Sequence, residues 1–315
     1  MQSTTTATAT TGTVRTGLIG AGIGPSLSPA LHEREASALR LPLRYERWDL
    51  DALGAAPADV GDLLARACTE GYRGLNITHP CKQLVIPHLD TLSPDAAAVG
   101  AVNTVVIGAD GSLAGHNTDW SGFRDGLREG LPGASPDRVV LLGAGGAGAA
   151  AGVALAREGV CALHVVDVDG ERAAGLAATL TPLLAAGATV TAHPRDELAE
   201  LLTGATGVVH ATPVGMADHP GLPFDADLLA GRPWVAEIVY RPLDTALLRA
   251  ARAAGCRTVD GGRMAVHQAA EAFRLFTGRT PDPARMLAHL AELVDAEQAG
   301  HGTVHDTAQE AGRVA

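Results

Sequence analysis

Short apolar runs that read as strands alternate along this chain with longer stretches in which apolar residues recur every three or four positions, the helical spacing. In the first third the strand-like runs fall at 16–19, 43–48, 75–77 and 102–107, and helical ones reach to Leu39, then cover 60–70 and 94–99. Ser28-Pro29 marks the start of the first helix, because a serine hydroxyl can cap the orphan amides of a first turn and proline needs no donor there. Ala109-Asp110-Gly111 reads as a hairpin turn that leads back into a run at 113–116. The pattern predicts a small α/β lobe.

The stretch 120–130 has helical spacing, with Phe123, Leu127 and Leu131 on one side, and a Pro/Gly/Ser linker follows at 132–136. Six more strand-like runs come next, at 139–142, 163–166, 189–192, 208–210, 235–239 and 258–259. The helical or loop stretches between them suit the crossovers that parallel strands need, and the count is that of a full doubly wound sheet. After the sixth run, 264–278 and 283–293 are helical and can return to pack on the first lobe. The Thr/Ala-rich start, 1–13, and the polar, glycine-containing end, 298–315, are expected to be disordered tails.

A chain of 315 residues suits two domains of ordinary size with a cleft between them. Aromatic residues make up only 3% and the formal net charge is -11, so there is neither stacking material nor a basic surplus for nucleic acid, and no such partner is expected. An anionic substrate would have to be held by local donors against an unfavourable overall field. Cys68, Cys81, Cys161 and Cys256 are scattered without a C-x-x-C pair, which suggests reduced cytosolic thiols and neither a disulfide framework nor a metal site. No apolar stretch approaches the roughly 20 residues needed to cross a bilayer, and the start lacks the charged and apolar blocks of a signal peptide. A cytoplasmic protein, monomer or homodimer, acting on a small molecule is expected.

The sharpest motif is Gly143-Ala144-Gly145-Gly146-Ala147-Gly148, a G-x-G-x-x-G pattern that follows the run at 139–142 and opens an alanine-rich helix at 147–157. In that setting backbone amides at the helix start can hold a pyrophosphate. The next strand ends at Asp167, about 20 residues past the last glycine, where a carboxylate can accept hydrogen bonds from a ribose diol and would repel a 2′-phosphate. Val168 offers no guanidinium, Asp169 adds negative charge, and Arg172 is the one nearby cation. NAD is therefore the expected cofactor, with NADP the poorer alternative.

Upstream stand one ammonium, one carboxylate and several neutral donors, in Asn76-Ile77-Thr78-His79-Pro80-Cys81-Lys82, Asn103-Thr104 and Asn117-Thr118-Asp119. Oxidising a carbinol requires its hydroxyl proton to be removed as hydride leaves, and a lysine can take that proton or return it. Desolvation favours its neutral form and a neighbouring carboxylate its charged form, so Lys82 and Asp119 could tune a proton donor or simply position the oxygen. Each residue also has a plainer role open to it: Lys82 as a solvated lysine, Asp119 as a helix N-cap, Asn103 in a turn, Ser28 as a cap only. His32, His79, His116, His210 and His267 lie near these motifs without ligand spacing and read as packing or supporting residues.

Together with Ser26-Leu27-Ser28-Pro29, Gly100-Ala101-Val102-Asn103-Thr104, Ala211-Thr212-Pro213-Val214-Gly215-Met216 and Gln268-Ala269-Ala270, these motifs run over about 16–277 in an order that resembles the shikimate and quinate dehydrogenases. The resemblance implies that Ser26 and Ser28 hold a substrate carboxylate, that Asn76, Thr78, Asn103 and Asp119 grip ring hydroxyls, and that Lys82, with Asp119 beside it, acts at the reacting C3 oxygen. It implies that Tyr240 and Gln268 close the site and that Thr212, Pro213, Met216, Val239, Gly262 and Met264 line the nicotinamide half of the pocket. Two departures stand out. Gly24-Pro25 precedes the serines where the family commonly has histidine, and Asp167 replaces the asparagine, followed by arginine, of many NADP-using members. Both look more like the NAD-using quinate/shikimate branch, whereas Ser28 stands where threonine often accompanies quinate use and leans toward shikimate.

The expected fold is thus α/β: an N-terminal substrate-binding lobe over 14–118, completed by helices over 264–297, and a doubly wound Rossmann dinucleotide-binding lobe over 119–263. The expected reaction is reversible NAD-dependent oxidation of shikimate to 3-dehydroshikimate, with quinate to 3-dehydroquinate open to it as well. Two alternatives stay open: a dehydrogenase for an aminated shikimate analogue, and a ligand sensor without turnover.

Overall fold

The computed structural model describes residues 12–311, the backbone alone from 298 onward, so residues 1–11 and 312–315 of the expected tails lie outside the described residues. Strands β1 (Val14–Gly20), β2 (Leu43–Asp49), β3 (Gly74–Ile77), β4 (Thr91–Leu92), β5 (Thr104–Ile107) and β6 (Leu113–His116) form one mixed sheet in the order β2-β1-β3-β5-β6-β4. The predicted hairpin is present, with β5 and β6 antiparallel and Gly111 in its turn at φ 86°. Because β5 also runs antiparallel to β3, the ends of β3 and β6 and the start of β5 meet at one edge of the cleft.

Strands β7 (Arg138–Leu142), β8 (Ala162–Val166), β9 (Thr189–His193), β10 (Gly207–His210), β11 (Trp234–Glu237) and β12 (Thr258–Val259) form a second, wholly parallel sheet. Its order, β9-β8-β7-β10-β11-β12, reverses direction between β7 and β10, the switch point at which doubly wound folds bind dinucleotides. The helices Gly146–Arg157 and Gly170–Leu180 cover one face, and Leu198–Leu202 and Ala246–Ala253 the other. Burial on both faces explains why its four inner strands, β7, β8, β10 and β11, read as largely continuous rather than alternating runs, while the edge strand β9 is mostly exposed.

The last two helices reach back to the first lobe. Val266, Ala269, Ala270, Met286, Leu290 and Val294 pack with Leu27 and Leu31 of the first lobe in one buried cluster. Glu35 of the helix Ser28–Ala38 is wholly buried and accepts bonds from Asp282 N (2.8 Å), Arg285 Nε (2.9 Å) and Arg285 Nη2 (2.7 Å), which ties down the start of the final helix. That helix, Pro283–Ala311, runs through 298–311, where the sequence suggested a loose tail. No proline interrupts it, and Gly300 and Gly302 weaken a helix without ending it.

Close approach of two helices sets the cleft wall. A Cβ added at Gly122 would lie 2.7 Å from Gln268 N and 2.8 Å from Met264 O, and one at Gly126 3.1 Å from Met264 N. The helix Asp119–Gly130 therefore presses its glycine face directly on the helix Gly261–Thr277, and any side chain there would push Asp119 and Gln268 apart.

Ser28 does not cap its helix. Leu27 holds the N-cap position without a side-chain cap, and proline carries the helix start alone. On the same helix His32 is 1% exposed, with its ring 4.7 Å from that of Tyr45 and 6.0 Å from that of Phe273. Burial among these rings pushes its pKa down from 6.5 to about 3, and its Nδ1 has no hydrogen-bond partner. Between these two values the unfolded chain binds the proton and the folded chain does not, so stability is complete above pH 6.5 and falls as pH drops toward 3. His32→Phe is expected to remove about one proton from the slope of unfolding free energy between pH 6.5 and 4.5, measured by urea titration; an unchanged slope would mean that His32 titrates normally.

Candidate active site

The cleft holds a cavity of about 520 Å³ whose walls include Ser26, Ser28, Asn76, Thr78, Lys82, Asn103, Asp119, Tyr240 and Gln268, all nine residues assigned to substrate from the sequence. Met216 and Met264 line it as well, as do His79, Asp218 and Arg241, which had been given no role there.

Lys82 stands in the short helix Cys81–Leu84 after β3, and its carbonyl accepts from Val102 N at 2.8 Å. Its ammonium donates to Asp119 Oδ2 at 2.6 Å, with the two side chains 25% and 12% exposed, so it is not a solvated surface lysine. Asp119 is not an N-cap either. Thr118 holds that position, and Asn117 Oδ1 accepts from the amides of Asp119 (3.0 Å) and Trp120 (3.3 Å), leaving the Asp119 carboxylate free to face the cavity.

Asn103 is 3% exposed rather than part of an open turn. Its Nδ2 donates to Asp119 Oδ1 (2.8 Å) and Thr118 Oγ1 (3.0 Å), while its Oδ1 accepts from Thr118 N (2.7 Å) and Thr104 Oγ1 (3.0 Å). Asn76 is equally constrained, giving its amide hydrogens to Thr104 Oγ1 (3.0 Å) and Asn103 O (3.2 Å) and accepting from Tyr45 OH at 2.9 Å. Tyr45 was missed from the sequence. The available signal was a large aromatic among charged residues of β2, since a buried tyrosine needs a partner for its hydroxyl. Burial pushes its pKa upward, offset in part by a hydrogen bond with Ser28.

The serine loop is built on backbone amides. Gly22 N donates to Asp49 Oδ1 (3.1 Å) and Asp51 Oδ2 (3.0 Å), and Gly24 N to Asp49 Oδ2 (3.1 Å). Beyond it Ser26 Oγ lies 3.2 Å from Ser28 Oγ, a pair of adjacent hydroxyls on the cavity wall. Across the cleft, Tyr240 is largely desolvated, which raises its pKa and keeps the phenol a neutral donor. Gln268 gives one amide hydrogen to Ala265 O (3.1 Å), leaving the other and its carbonyl oxygen.

The glycine-rich turn forms a second constellation at the carboxyl ends of β7 and β8. A Cβ at Gly148 would lie 2.0 Å from Gly143 O, and one at Gly143, which has φ 107°, would lie 2.6 Å from Ala211 O. By contrast Gly145, the N-cap of the helix Gly146–Arg157, and Gly146 face open space, as a cradle for phosphate requires. Asp167 is 8% exposed; its Oδ2 accepts from Ala144 N (2.7 Å), and its Oδ1 from Asp169 N (2.9 Å) and Arg172 Nη2 (3.1 Å). Arg172 is not a free cation, since it also pairs with Asp169 Oδ2 at 3.1 Å.

Between the two constellations lies the end of β10. Thr212 Oγ1 is 2.5 Å from His210 Nε2, and the buried His210 meets Glu237 Oε1 through Nδ1 at 2.8 Å. Glu237 also accepts from Val239 N (3.0 Å) and Thr245 Oγ1 (3.1 Å), so β11 leaves its ladder after Glu237 rather than running to Val239. Pro213 O accepts from Met216 N at 3.1 Å and shapes the following loop. Val239 and Gly262 stand one residue from the cavity wall, which Ile238 and Gly261 provide; Gly262 faces Leu243 and Asp260 instead.

Two family models match the chain: the shikimate dehydrogenase substrate binding domain over residues 18–105 and the shikimate 5′-dehydrogenase C-terminal domain over 262–290. The chain is 59% identical over 285 residues to the shikimate dehydrogenase (NADP(+)) of Streptomyces avermitilis, covering 90% of this chain and 97% of that one. It is 49% identical over 270 residues to the quinate/shikimate dehydrogenase (NAD(+)) of Corynebacterium glutamicum, covering 86% and 95%. Among solved structures, the quinate dehydrogenase of Corynebacterium glutamicum in complex with NAD superposes with a TM-score of 0.85 at 47% identity, covering 89% of this chain and 99% of that one.

The glycines separate packing from ligand contact. Gly148→Ala is expected to lower Tm by about 5 °C or more and to weaken nucleotide binding, whereas Gly145→Ala should leave Tm within about 2 °C and weaken the nucleotide about tenfold. Thermal melts with and without nucleotide distinguish the two, and normal binding by Gly145→Ala would show that the turn serves packing only.

Proposed function

Because the chain belongs to the shikimate dehydrogenase family, we propose that it oxidises shikimate to 3-dehydroshikimate reversibly with NAD, and accepts quinate as a second substrate. It is an oxidoreductase acting on a CH–OH group, and its cofactor is a pyridine nucleotide. The observation that carries the residue-level reading is the Lys82–Asp119 pair at 2.6 Å inside a cavity whose far end presents the Ser26 and Ser28 hydroxyls.

In this reading the serine hydroxyls take the substrate carboxylate, and Asn76, Thr78, Asn103 and Asp119 receive the ring hydroxyls. Both amide hydrogens of Asn76 and of Asn103 are already committed within the protein. The Asn103 oxygen is filled as well, by Thr118 N and Thr104 Oγ1, so Asn103 acts chiefly through Asp119. The acceptors open to a ring hydroxyl are Asn76 Oδ1 and the Asp119 carboxylate, and the donors on that side come from Lys82 and Thr78. Bound nicotinamide supplies the hydride acceptor. As the C3–H bond breaks and the carbon–oxygen double bond forms, the C3 hydroxyl proton leaves to Lys82 as general base; in the reverse direction Lys82 returns that proton. Asp119, held by Asn103, fixes the direction of the lysine and stabilises the ammonium that results.

NAD follows from charge. Arg172 is shared between Asp167 and Asp169, so the ribose corner carries one net negative charge, unfavourable to a 2′-phosphate and able to accept a diol. One observation favours NADP as a second reading, namely that the relative from Streptomyces avermitilis is an NADP(+) enzyme.

Steady-state rates for shikimate and quinate, each with NAD and NADP, decide among these. Lys82→Ala is expected to lower kcat by about 10²–10⁴ with a smaller change in substrate binding; near-normal turnover would remove Lys82 from the chemistry. Asp167→Asn, which keeps an acceptor for Ala144 N, is expected to narrow the NAD preference about tenfold, and a wild-type preference for NADP would overturn the charge argument.

A further inference from the structure

Arg241 belongs to the loop after β11, yet its Nη1 donates to Pro25 O at 2.8 Å, across the cleft and one residue before Ser26. Its Nη2 pairs with Glu297 Oε2 on the final helix at 2.8 Å, and the side chain is 31% exposed. These two contacts use two of the five donors of a guanidinium, and the residue lines the substrate cavity together with Ser26, Ser28 and Tyr240.

The surroundings of the serine pair are otherwise anionic or neutral. Asp49 and Asp51 hold the loop from beneath, and Asp218 lines the same cavity. Lys82, the other lysine or arginine on the cavity wall, is held by Asp119, whereas Arg241 is tied to the serine loop through Pro25 O and keeps guanidinium donors beyond those it gives Pro25 O and Glu297. A carboxylate arriving at two neutral hydroxyls in this field needs a cation nearby, and Arg241 is placed to be it.

We propose that Arg241 binds the substrate carboxylate beside Ser26 and Ser28, and that by holding Pro25 O it presses the serine loop onto that carboxylate from the nucleotide-binding side. The proposal rests on the reading that the substrate is a carboxylic acid of the shikimate or quinate type. It predicts selectivity for the anion over a neutral ester, because a guanidinium distinguishes them and a hydroxyl does so only weakly.

The test compares shikimate with its methyl ester in the wild type, Arg241→Gln and Arg241→Lys. Arg241→Gln is expected to raise KM for the acid about 10–100-fold, with kcat within about threefold and the nucleotide KM unchanged, while the ester is used about as well as by the wild type. The acid-to-ester ratio of kcat/KM therefore collapses, and Arg241→Lys restores part of it. Both substrates meet the same folded fraction, so the ratio decides even if a variant is less stable. An Arg241→Gln enzyme that keeps the wild-type ratio, or that loses acid and ester equally, overturns the proposal. A wild-type enzyme inactive on shikimate and quinate alike would instead defeat the substrate reading.

Discussion

A carboxylate held in one direction while almost out of water is the constraint around which the cleft is organised. Asp119 is 8% exposed, and burying such a group costs several kcal/mol unless its oxygens are occupied. Both are: Oδ2 by the Lys82 ammonium and Oδ1 by the Asn103 amide. Asn103 can act as that clamp because Thr118 and Thr104 hold the rest of its amide, which excludes a flipped arrangement. Three chain segments must therefore converge. The antiparallel β5 brings them together, setting the turn after β3, its own start and the end of β6 side by side.

That convergence reaches beyond the first lobe through glycine. The helix that begins at Asp119 lies so close to the helix Gly261–Thr277 that Gly122 has no room for a methyl group. Gln268 is thereby placed on the same cavity as Asp119, and the C-terminal helices, which also pack on Leu27 and Leu31, connect the two sheets around the cavity. The positions of Ser28, Asp119 and Gln268 are thus set by one packing arrangement rather than by three independent loops.

Much of this was legible in the sequence because it was written in local chemistry. All six strands of the parallel sheet were found within one or two residues of their ends, and for the inner four, β7, β8, β10 and β11, burial on both faces leaves clear apolar runs, whereas the edge strand β9 is largely exposed. The nine residues assigned to substrate carried recognisable motifs and do share a cavity. What escaped depends on partners distant in the chain. Ser28 has a capping sequence but spends its hydroxyl beside Ser26, Tyr45 becomes relevant only because β2 places it under Asn76, and the exposed two-residue β4 has no periodicity to detect. Arg172 was seen as a lone cation, whereas its helix turns it onto Asp167 and Asp169. Propensity describes a residue's neighbours along the chain, and these outcomes were decided by neighbours across it.

The nucleotide corner shows how an acidic protein can still hold anionic ligands. A net charge of -11 opposes both a pyrophosphate and a carboxylate at long range, but that field is screened within roughly 8 Å at physiological salt. Inside this distance the oriented amides at the start of the helix Gly146–Arg157 decide. Asp167 is part of that same turn, since its carboxylate takes the amide of Ala144 directly. A change that removed this acceptor to admit a 2′-phosphate would release the backbone that shapes the phosphate cradle. On the proposed reading of Asp167, nucleotide choice and turn geometry are one property of this chain, and altering the first without disturbing the second requires a neutral group that still accepts from Ala144.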